Sequence, residues 1–353
     1  MGPRTLDWVD NAIVTPDQRL FPGELSMLRL TTVDDLVAAI SSLAVRGAPA
    51  LGIAGALGVA LSAQHHPHDP EQVKTDADRI ANARPTAVNL AWGVARALAR
   101  LADGPEAVLA EAMAVLDADE RVNRAAATRA ADLLRRLGPD RPLRVLTHCN
   151  AGRLATGAWG TALGAIRDLA ARDAIELVIA TETRPLLQGA RLTAWELAEA
   201  GIPYRVCVDS AAPALIARGL VDCVVVGADR VAVNGDTANK IGTYSLALAA
   251  ARAGIPFVVV APEATIDPDL PDGTGIHIEE RATDEVTNFA GRPTAPVGTQ
   301  ALNPAFDVTP ADLITAVVTE QRTLLDPDRR HGSPLDPDRH SPLLDRDRHS
   351  PAR

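Results

Sequence analysis

Two side chains that can carry acid–base or nucleophilic chemistry each follow a short aliphatic run in the middle of the chain. Cys149 lies in the motif THCNAG at 147–152, and Asp229 lies in GADR at 227–230. A thiol near the start of a helix has a lowered pKa and can serve as nucleophile, base or charge stabiliser. A carboxyl group at the mouth of an apolar strand has a raised pKa, which suits proton transfer near neutrality. The simpler interpretations are a small buried hydrophobe for the thiol and a helix cap or an ion pair with Arg230 for the carboxylate.

Several cationic and amide side chains lie where they could bind an anionic ligand. Two arginines precede predicted helix starts, where a guanidinium and free backbone N–H groups together attract anions. An Asn-Lys pair precedes a helix that contains Gly242, and a glutamine opens another helix. Each of these residues is, taken singly, equally compatible with a solvent-facing position beside a helix. The candidate binding residues are Arg46, Gly47, Ala48, Arg84, Gln188, Asn239 and Lys240.

The elements that must position these residues change in character along the chain. From residue 143 onward, short runs rich in Val and Ile alternate with helical stretches, which predicts a mostly parallel sheet covered on both faces. Ligands bind beyond the carboxyl ends of such strands, so Cys149 and Asp229 are expected in one crevice. The predicted strands are 143–147, 175–180, 204–208, 223–227 and 255–261, and the predicted helices between them are 153–171, 188–201, 210–219 and 241–254.

Three further polar residues of this part receive structural interpretations. Cys207 and Cys223 lie inside apolar runs and are expected to be buried without a chemical role. Asp209, followed by Ser210 and by Pro213 in a first turn, is interpreted as a helix N-cap.

The part before residue 136 is predicted to be mainly helical. Ala-rich amphipathic stretches predict helices over 33–45, 50–64, 70–83, 87–103, 105–117 and 119–137. The uncharged stretch 47–63 is shorter than the roughly 20 residues of a membrane span, so it is interpreted as a buried helix. The expected division is therefore a mainly helical domain over 1–135, a Rossmann-like catalytic domain over 136–325 and a disordered, repetitive tail over 326–353.

Composition excludes several classes of protein. A net charge of -10 over 353 residues argues against a nucleic-acid-binding surface, and the sequence shows no membrane span and no signal peptide. The three cysteines have no CxxC spacing, so neither a zinc site nor a disulfide framework is expected, and the cytoplasm is the expected location. His331, His340 and His349 of the tail are interpreted as solvated residues and not as metal ligands.

The motifs taken together are more specific than any one of them. RGAPALG, RPTAVNLAW, THCNAG, ETRPLLQGARLTAWEL, GADRVAVNGDTANKIGTY and PFVVVAP occur in this order and closely resemble the methylthioribose-1-phosphate isomerases of methionine salvage. The similarity covers roughly residues 3 to 325 and extends to a superfamily that includes ribose-1,5-bisphosphate isomerases and regulatory subunits of translation initiation factor 2B.

The resemblance implies a role for each candidate residue. It implies a catalytic pair, Cys149 and Asp229, and substrate contacts from the seven binding residues named above. It also implies a helical domain joined to a Rossmann-like domain, a homodimer, a sugar phosphate substrate and no metal or organic cofactor. Either Cys149 removes the C2 proton of the opened sugar, or hydride passes from C2 to C1 while Cys149 stabilises charge.

Three alternatives stay open at this point. A ribose-1,5-bisphosphate isomerase would need a second phosphate site, and a non-catalytic regulatory subunit would not need the Cys/Asp pair. A dinucleotide-dependent oxidoreductase is disfavoured, because no GxGxxG follows the first strand of the predicted sheet.

Overall fold

The structure is a computed structural model that describes residues 4–84 and 87–325. Its first part consists of a small antiparallel sheet followed by helices. The elements are β1 (Asp7–Val9), β2 (Ala12–Pro16), β3 (Met27–Leu30), α1 (Val33–Ser41), α2 (Ala48–His65), α3 (Pro70–Ala81), α4 (Val88–Leu98) and α5 (Pro105–Leu137). The mainly helical character predicted for this part is confirmed.

Helix α2 is the centre of the helical part. Every residue from Ala50 to Ala63 is buried, which confirms the interpretation of the uncharged stretch as a buried helix. Small residues allow α4 to approach closely, since a Cβ atom on Gly93 would lie 1.8 Å from the carbonyl oxygen of Gly52. Among the residues that the structure describes, none of the helices combines the length and apolar character that crossing a membrane requires.

Helix α5 joins the two helices that were predicted over 105–117 and 119–137. It runs unbroken for 33 residues, because Ala118 is a strong helix former and neither Gly nor Pro occurs between Pro105, at the first position of the helix, and Gly138. Its first half contributes Val108 and Leu116 to the core of the helical part. Its second half packs under the main sheet.

The second part alternates strands and helices. In chain order it comprises β4 (Leu143–Thr147), α6 (Ala162–Ala171), β5 (Ile175–Thr181), α7 (Ala194–Glu199), β6 (Tyr204–Cys207), α8 (Ala212–Ala217), β7 (Cys223–Val226), β8 (Arg230–Val231), β9 (Thr237–Lys240), α9 (Thr243–Ala253), β10 (Phe257–Val260), α10 (Asp284–Thr287), β11 (Asn288–Phe289), β12 (Arg292–Pro293), β13 (Phe306–Thr309), β14 (Ala316–Val318) and β15 (Thr323–Leu325). All five predicted strands are present, with ends that shift by no more than two residues.

Seven strands form the main sheet in the order β15-β14-β10-β7-β4-β5-β6, and only β15 is antiparallel. Helices α5 and α6 cover one face, and α8 and α9 cover the other, as the aliphatic runs predict. From the central strand β4 the chain first adds β5 and β6 on one side. It then returns and adds β7, β10 and β14 on the other side. In doubly wound sheets of this order, the crevice where the direction reverses binds ligands. Here that crevice lies between the ends of β4 and β7.

The helix predicted over 153–171 is much shorter than expected. Only a single 3₁₀ turn at Arg153–Ala155 precedes α6, which begins at Ala162. The loop between them is fixed by a bridge between Gly152 and Gly160, and Gly160 has a φ of 92°, which a continuous helix cannot contain. The residues that follow the first central strand therefore form a loop and not a helix.

Candidate active site

A cavity of about 160 Å³ lies at the carboxyl ends of β4 and β7. Its walls contain both candidate catalytic residues and all seven candidate binding residues. These are Cys149, Asp229, Arg46, Gly47, Ala48, Arg84, Gln188, Asn239 and Lys240. Residues distant in sequence thus meet where the chain reverses its direction through the sheet.

Cys149 follows β4 in a strained backbone conformation. Its φ is 60°, in the left-handed region that residues other than glycine rarely adopt. Two threonines hold it there: the Cys149 N–H donates to Oγ1 of Thr183 at 2.9 Å, and Oγ1 of Thr193 donates to the Cys149 carbonyl at 2.5 Å. Backbone strain of this kind is common at functional sites, where the surrounding contacts over-determine the geometry.

The pKa of the Cys149 thiol is shifted upward, opposite to the expectation from sequence. Burial raises this pKa, while the positive charges of Arg46 and Lys240 oppose the rise. The expectation was wrong because no α-helix begins behind the thiol; the next α-helix starts at Ala162. Burial therefore favours the protonated thiol over the thiolate at neutral pH.

Asp229 follows β7, and its own N–H donates to the Ala238 carbonyl at 2.9 Å. Burial raises the pKa of its carboxyl group, as its position predicted, and Lys240 and Arg46 are the main charges that oppose the rise. Asp229 and Cys149 lie close enough for the charge of the carboxylate to raise the pKa of the thiol further. The pair is thus a carboxyl group and a thiol whose pKa values are both raised by burial.

Asn239 and Lys240 precede α9, as predicted, and they lie in a strand that the sequence did not predict. They are the last residues of β9, which pairs with β8 and β13, and they do not form a helix start. The Asn239 amide donates to Oγ1 of Thr243 at 2.9 Å. The Lys240 ammonium lies 4.3 Å from the ring centre of Phe306, and burial lowers its pKa.

The N-terminus of α9 is not available for a phosphate, contrary to the expectation. The N–H groups of Gly242 and Tyr244 donate to the two carboxylate oxygens of Asp307, at 2.7 and 3.1 Å. Asp307 thus takes the place that an anionic ligand would occupy. Anion binding near Lys240 must depend on its ammonium group and on the neighbouring side chains.

Arg46 and Gly47 form the turn that leads into α2. Gly47 has a φ of 97°, and a Cβ atom there would lie 2.5 Å from the backbone of Ala155, so only glycine fits. The Arg46 guanidinium donates to Oδ1 of Asn150 at 2.5 Å and to Oε1 of Gln18 at 3.0 Å. These contacts fix the guanidinium beside the loop that carries Cys149.

Arg84 and Gln188 complete the predicted set. Arg84 forms an ion pair with Glu279 at 3.6 Å, and burial lowers its pKa. The next two residues of its motif, Pro85 and Thr86, lie outside the described residues. Gln188 precedes a π-helical turn at Gly189–Thr193, and its side chain is 6% exposed. Its Oε1 accepts no hydrogen bond from any described residue, so a hydroxyl group of a ligand would satisfy it.

Sequence reasoning missed the contribution of the segment between β10 and β13. Ile276, His277, Arg281 and Phe306 also line the cavity. Arg281 is held by Glu279 at 2.8 Å and by Glu285. This segment has no helical or strand periodicity, but its dense charges over 277–285, HIEERATDE, were a signal that could have been used.

The sequence predicted that Asp209 caps a helix, and this prediction was wrong. Its carboxylate accepts hydrogen bonds from the N–H groups of Thr183 and Arg184, each at 2.7 Å, and so braces the loop next to Cys149. Cys223 and Cys207 lie away from the cavity walls; burial raises the pKa of Cys223 to about 12 and that of Cys207 to about 11. Within residues 4–84 and 87–325, no group of three or more His, Cys, Asp or Glu side chains could hold a metal ion.

Comparison with known proteins places this geometry in a family. The model of the Initiation factor 2 subunit family matches residues 44–324. A protein of Nocardia farcinica described as a probable bifunctional methylthioribose-1-phosphate isomerase/methylthioribulose-1-phosphate dehydratase is 64% identical over 90% of this chain and 58% of its own length. The chain therefore spans somewhat more than half of that relative. The methylthioribose-1-phosphate isomerase of Anaeromyxobacter dehalogenans is 53% identical over 86% of this chain and 88% of its own length.

Solved structures agree with the sequence relatives. The 5-methylthioribose 1-phosphate isomerase of Pyrococcus horikoshii is 37% identical with a TM-score of 0.85, over 92% of this chain and 93% of that one. A protein of A. fulgidus described as translation initiation factor eIF-2B, subunit delta, is 41% identical with a TM-score of 0.83, over 92% of this chain and 97% of that one. The resemblance thus includes an isomerase and a protein described as an initiation factor.

Proposed function

This chain belongs to the Initiation factor 2 subunit family, and from that premise we propose that it is an aldose–ketose isomerase of methionine salvage. It converts 5-methylthioribose 1-phosphate to 5-methylthioribulose 1-phosphate, the reaction that its relatives' names indicate. One observation carries the proposal: a half-buried acid, Asp229, and a half-buried thiol, Cys149, share one cavity with Arg46, Arg84 and Lys240. An acid beside several cations suits a substrate that must gain a proton while keeping its phosphate.

The phosphate of the substrate is bound by the cationic side chains of the cavity. Arg46, Arg84 and Lys240 offer guanidinium and ammonium donors, and a phosphate dianion accepts several charge-assisted hydrogen bonds at once. Gln188 and Asn239 bind the hydroxyl groups of the sugar, since the unpaired Oε1 of Gln188 accepts from an O–H donor. Together these contacts fix C1 and C2 beside Asp229 and Cys149.

Ring opening is the first chemical step. The anomeric carbon carries the phosphate, so no free aldehyde exists until the bond between C1 and the ring oxygen breaks. Asp229 gives its proton to the ring oxygen as this bond breaks, and the positive charge that develops at C1 is shared with the attached phosphate oxygen. Burial raises the pKa of Asp229, which favours the protonated form that this step uses.

Two routes lead from the opened sugar to the ketose, and each conserves all atoms and electrons. In the first, hydride passes from C2 to C1 while the Asp229 carboxylate takes the proton of the C2 hydroxyl, which becomes the carbonyl. In the second, Cys149 as thiolate removes the C2 proton and later returns it to C1, while the C2 hydroxyl again loses its proton to Asp229. The raised pKa of Cys149 favours the first route, because hydride transfer needs no thiolate.

We further propose the organisation expected from the sequence for the complete protein. It comprises a helical domain over 1–135 and a Rossmann-like catalytic domain over 136–325, and it acts as a homodimer in the cytoplasm. Size-exclusion chromatography with light scattering tests the dimer, and a monomer at micromolar concentration contradicts it.

The decisive experiment is an assay of the purified protein with 5-methylthioribose 1-phosphate in D2O, followed by NMR. Formation of the ketose supports the proposed activity, and a product without deuterium at C1 supports the hydride route. Ribose 1,5-bisphosphate is assayed alongside. Preference for that substrate, or no conversion of either, contradicts the proposal, and the second outcome favours a regulatory role like that of the initiation factor described for A. fulgidus.

A further inference from the structure

A buried carboxylate behind the cavity is not used by the mechanism above. Glu196 of α7 is 0% exposed, and the Gly152 backbone packs directly against it: a Cβ atom on Gly152 would lie 2.3 Å from its Oε1. Each of its oxygens has two donors. Oε1 accepts from the Asn150 amide at 2.9 Å and from the Leu154 N–H at 3.3 Å. Oε2 accepts from the Arg153 N–H at 2.9 Å and lies 3.4 Å from the Arg167 guanidinium.

Glu196 determines which way the Asn150 amide points. A carboxylate is only an acceptor, so the NH2 group of Asn150 must face Glu196 and its Oδ1 must face the other side. On that other side, Oδ1 accepts from the Arg46 guanidinium at 2.5 Å. A flipped amide would place two donors against each other at Arg46 and two acceptors against each other at Glu196. The orientation that suits Arg46 is therefore imposed from behind by the buried charge.

We propose that Glu196 is a positioning residue, which holds the Arg46 guanidinium in the cavity through the Asn150 amide. This inference rests on the proposed function, in which Arg46 binds the phosphate of the substrate. Glu196 itself does not line the cavity and touches no reacting group. Its effect on the reaction is transmitted by two hydrogen bonds in series, from Glu196 to Asn150 and from Asn150 to Arg46.

The same helix offers a matched control. Glu199 also pairs with an arginine of the loop, since both of its oxygens accept from Arg153 at 2.8 Å, and it lies 4.0 Å from Arg167. No hydrogen bond joins it to Asn150 or Arg46 among the described residues. Removing the charge of Glu199 therefore breaks ion pairs of the same region without freeing the amide.

The test compares Glu196→Gln with Glu199→Gln. In Glu196→Gln the new side chain can accept or donate, so the Asn150 amide is free to flip. Arg46 then loses its hydrogen bond to Oδ1 of Asn150 and keeps those to the Asn150 carbonyl and to Gln18. We expect KM for 5-methylthioribose 1-phosphate to rise about tenfold with kcat changed less than about threefold, because a phosphate contact acts in ground and transition state alike. Glu199→Gln should change KM less than about twofold. Equal changes in both variants overturn the inference.

Binding of inorganic phosphate separates this inference from the proposed function. Calorimetric titration needs no turnover, so if the wild type fails to isomerise the sugar phosphate, the phosphate Kd of the variants still tests the role of Glu196. We expect the Kd to rise about tenfold in Glu196→Gln and to stay within about twofold in Glu199→Gln. An unchanged Kd in Glu196→Gln overturns the inference even if the wild type is an active isomerase.

A second substitution distinguishes positioning from general loss of packing. In the double variant Asn150→Asp with Glu196→Gln, the new carboxylate accepts from Arg46 and also accepts from the new amide behind it. An acceptor thus faces Arg46 as in the wild type, and no two donors or two acceptors are set against each other. We expect the double variant to recover a phosphate Kd within about threefold of wild type, while Asn150→Asp alone sets two carboxylates against each other. Losses that multiply in the double variant contradict the inference.

Discussion

The cavity is lined by two groups of residues that are held in different ways. A strand-borne group, Cys149, Asp229, Asn239 and Lys240, follows β4 and β7 or lies in β9. Backbone hydrogen bonds fix Asp229, Asn239 and Lys240, and the hydroxyl groups of two threonines hold the backbone of Cys149. A peripheral group, Arg46, Arg84, His277 and Arg281, comes from helix starts and from the irregular segment between β10 and β13.

The peripheral group depends on side-chain partners instead of a strand ladder. Arg84 and Arg281 are both paired with Glu279, and Arg46 is held by Asn150 and Gln18. Proton transfer requires atoms placed within fractions of an ångström, whereas a phosphate accepts donors from several directions. The two proposed acid–base groups, Cys149 and Asp229, thus lie in the strand-borne group, and of the proposed phosphate-binding cations only Lys240 does.

Loss of the strand-borne acid should have the largest effect. Asp229→Asn keeps the shape of the side chain but removes the transferable proton, so we expect kcat to fall about 10³-fold while KM changes little. Steady-state kinetics with 5-methylthioribose 1-phosphate measure both constants. The control is Asp269→Asn, an exposed carboxylate outside the cavity. Near-normal turnover of Asp229→Asn would remove the distinction between the two groups.

Loss of a peripheral cation should have a smaller effect of a different kind. Arg281 lines the cavity, and we expect its positive charge to attract the phosphate equally in substrate and transition state, so Arg281→Ala should raise KM about tenfold with kcat nearly constant. The control is Arg292→Ala, on the exposed strand β12. A fall in kcat that exceeds the rise in KM would place Arg281 among the reacting groups.

The smallest expected effect on turnover belongs to two half-buried carboxyl groups, one behind each group of cavity residues. These two groups affect the stability of the fold instead. Burial raises the pKa of Asp307, which caps α9 next to the strand-borne group, to about 6. Burial also raises the pKa of Asp119 to about 6; its carboxylate holds the Gly157 N–H at 2.7 Å, in the loop that contacts Gly47. Between pH ~4 and ~6 the folded chain therefore keeps protons that the unfolded chain has lost.

The sign of the pH dependence follows from these shifts. Each group lowers the free energy of unfolding as pH rises from ~4 to ~6, by about 3 kcal/mol, and contributes no further change above that window. Asp307→Asn and Asp119→Asn should each remove one such slope from urea unfolding curves recorded at a series of pH values. A wild-type slope that survives in both variants would show that neither carboxyl group titrates with a raised pKa.

The placement of Cys149 and Asp229 could be predicted from the sequence because two simple patterns coincide there. Aliphatic runs such as CVVVG identify buried parallel strands, and the polar residue that ends each run must then lie at one edge of the sheet. The raised pKa of Asp229 follows from the same placement. Most of the fold and the position of the candidate catalytic pair are accessible by this reasoning.

The remaining features depend on tertiary contacts that no local pattern encodes. The environment of Cys149 was predicted wrongly, because the loop after it is fixed by a bridge between Gly152 and Gly160 and not by helix propensity. The occupation of the α9 N-terminus by Asp307, which is distant in sequence, was equally invisible. Arg281 lies in a segment without periodicity, so only the structure brings it to the cavity.

Helix α5 has a consequence for how this molecule loses its structure. At 33 residues it is about 50 Å long, and its two halves are buried in different cores. When either core unfolds, half of α5 loses its packing partners, and this loss destabilises the other core as well. Heat or denaturant should therefore unfold both halves of the protein in a single cooperative transition. The cavity between them should be lost as soon as either half unfolds.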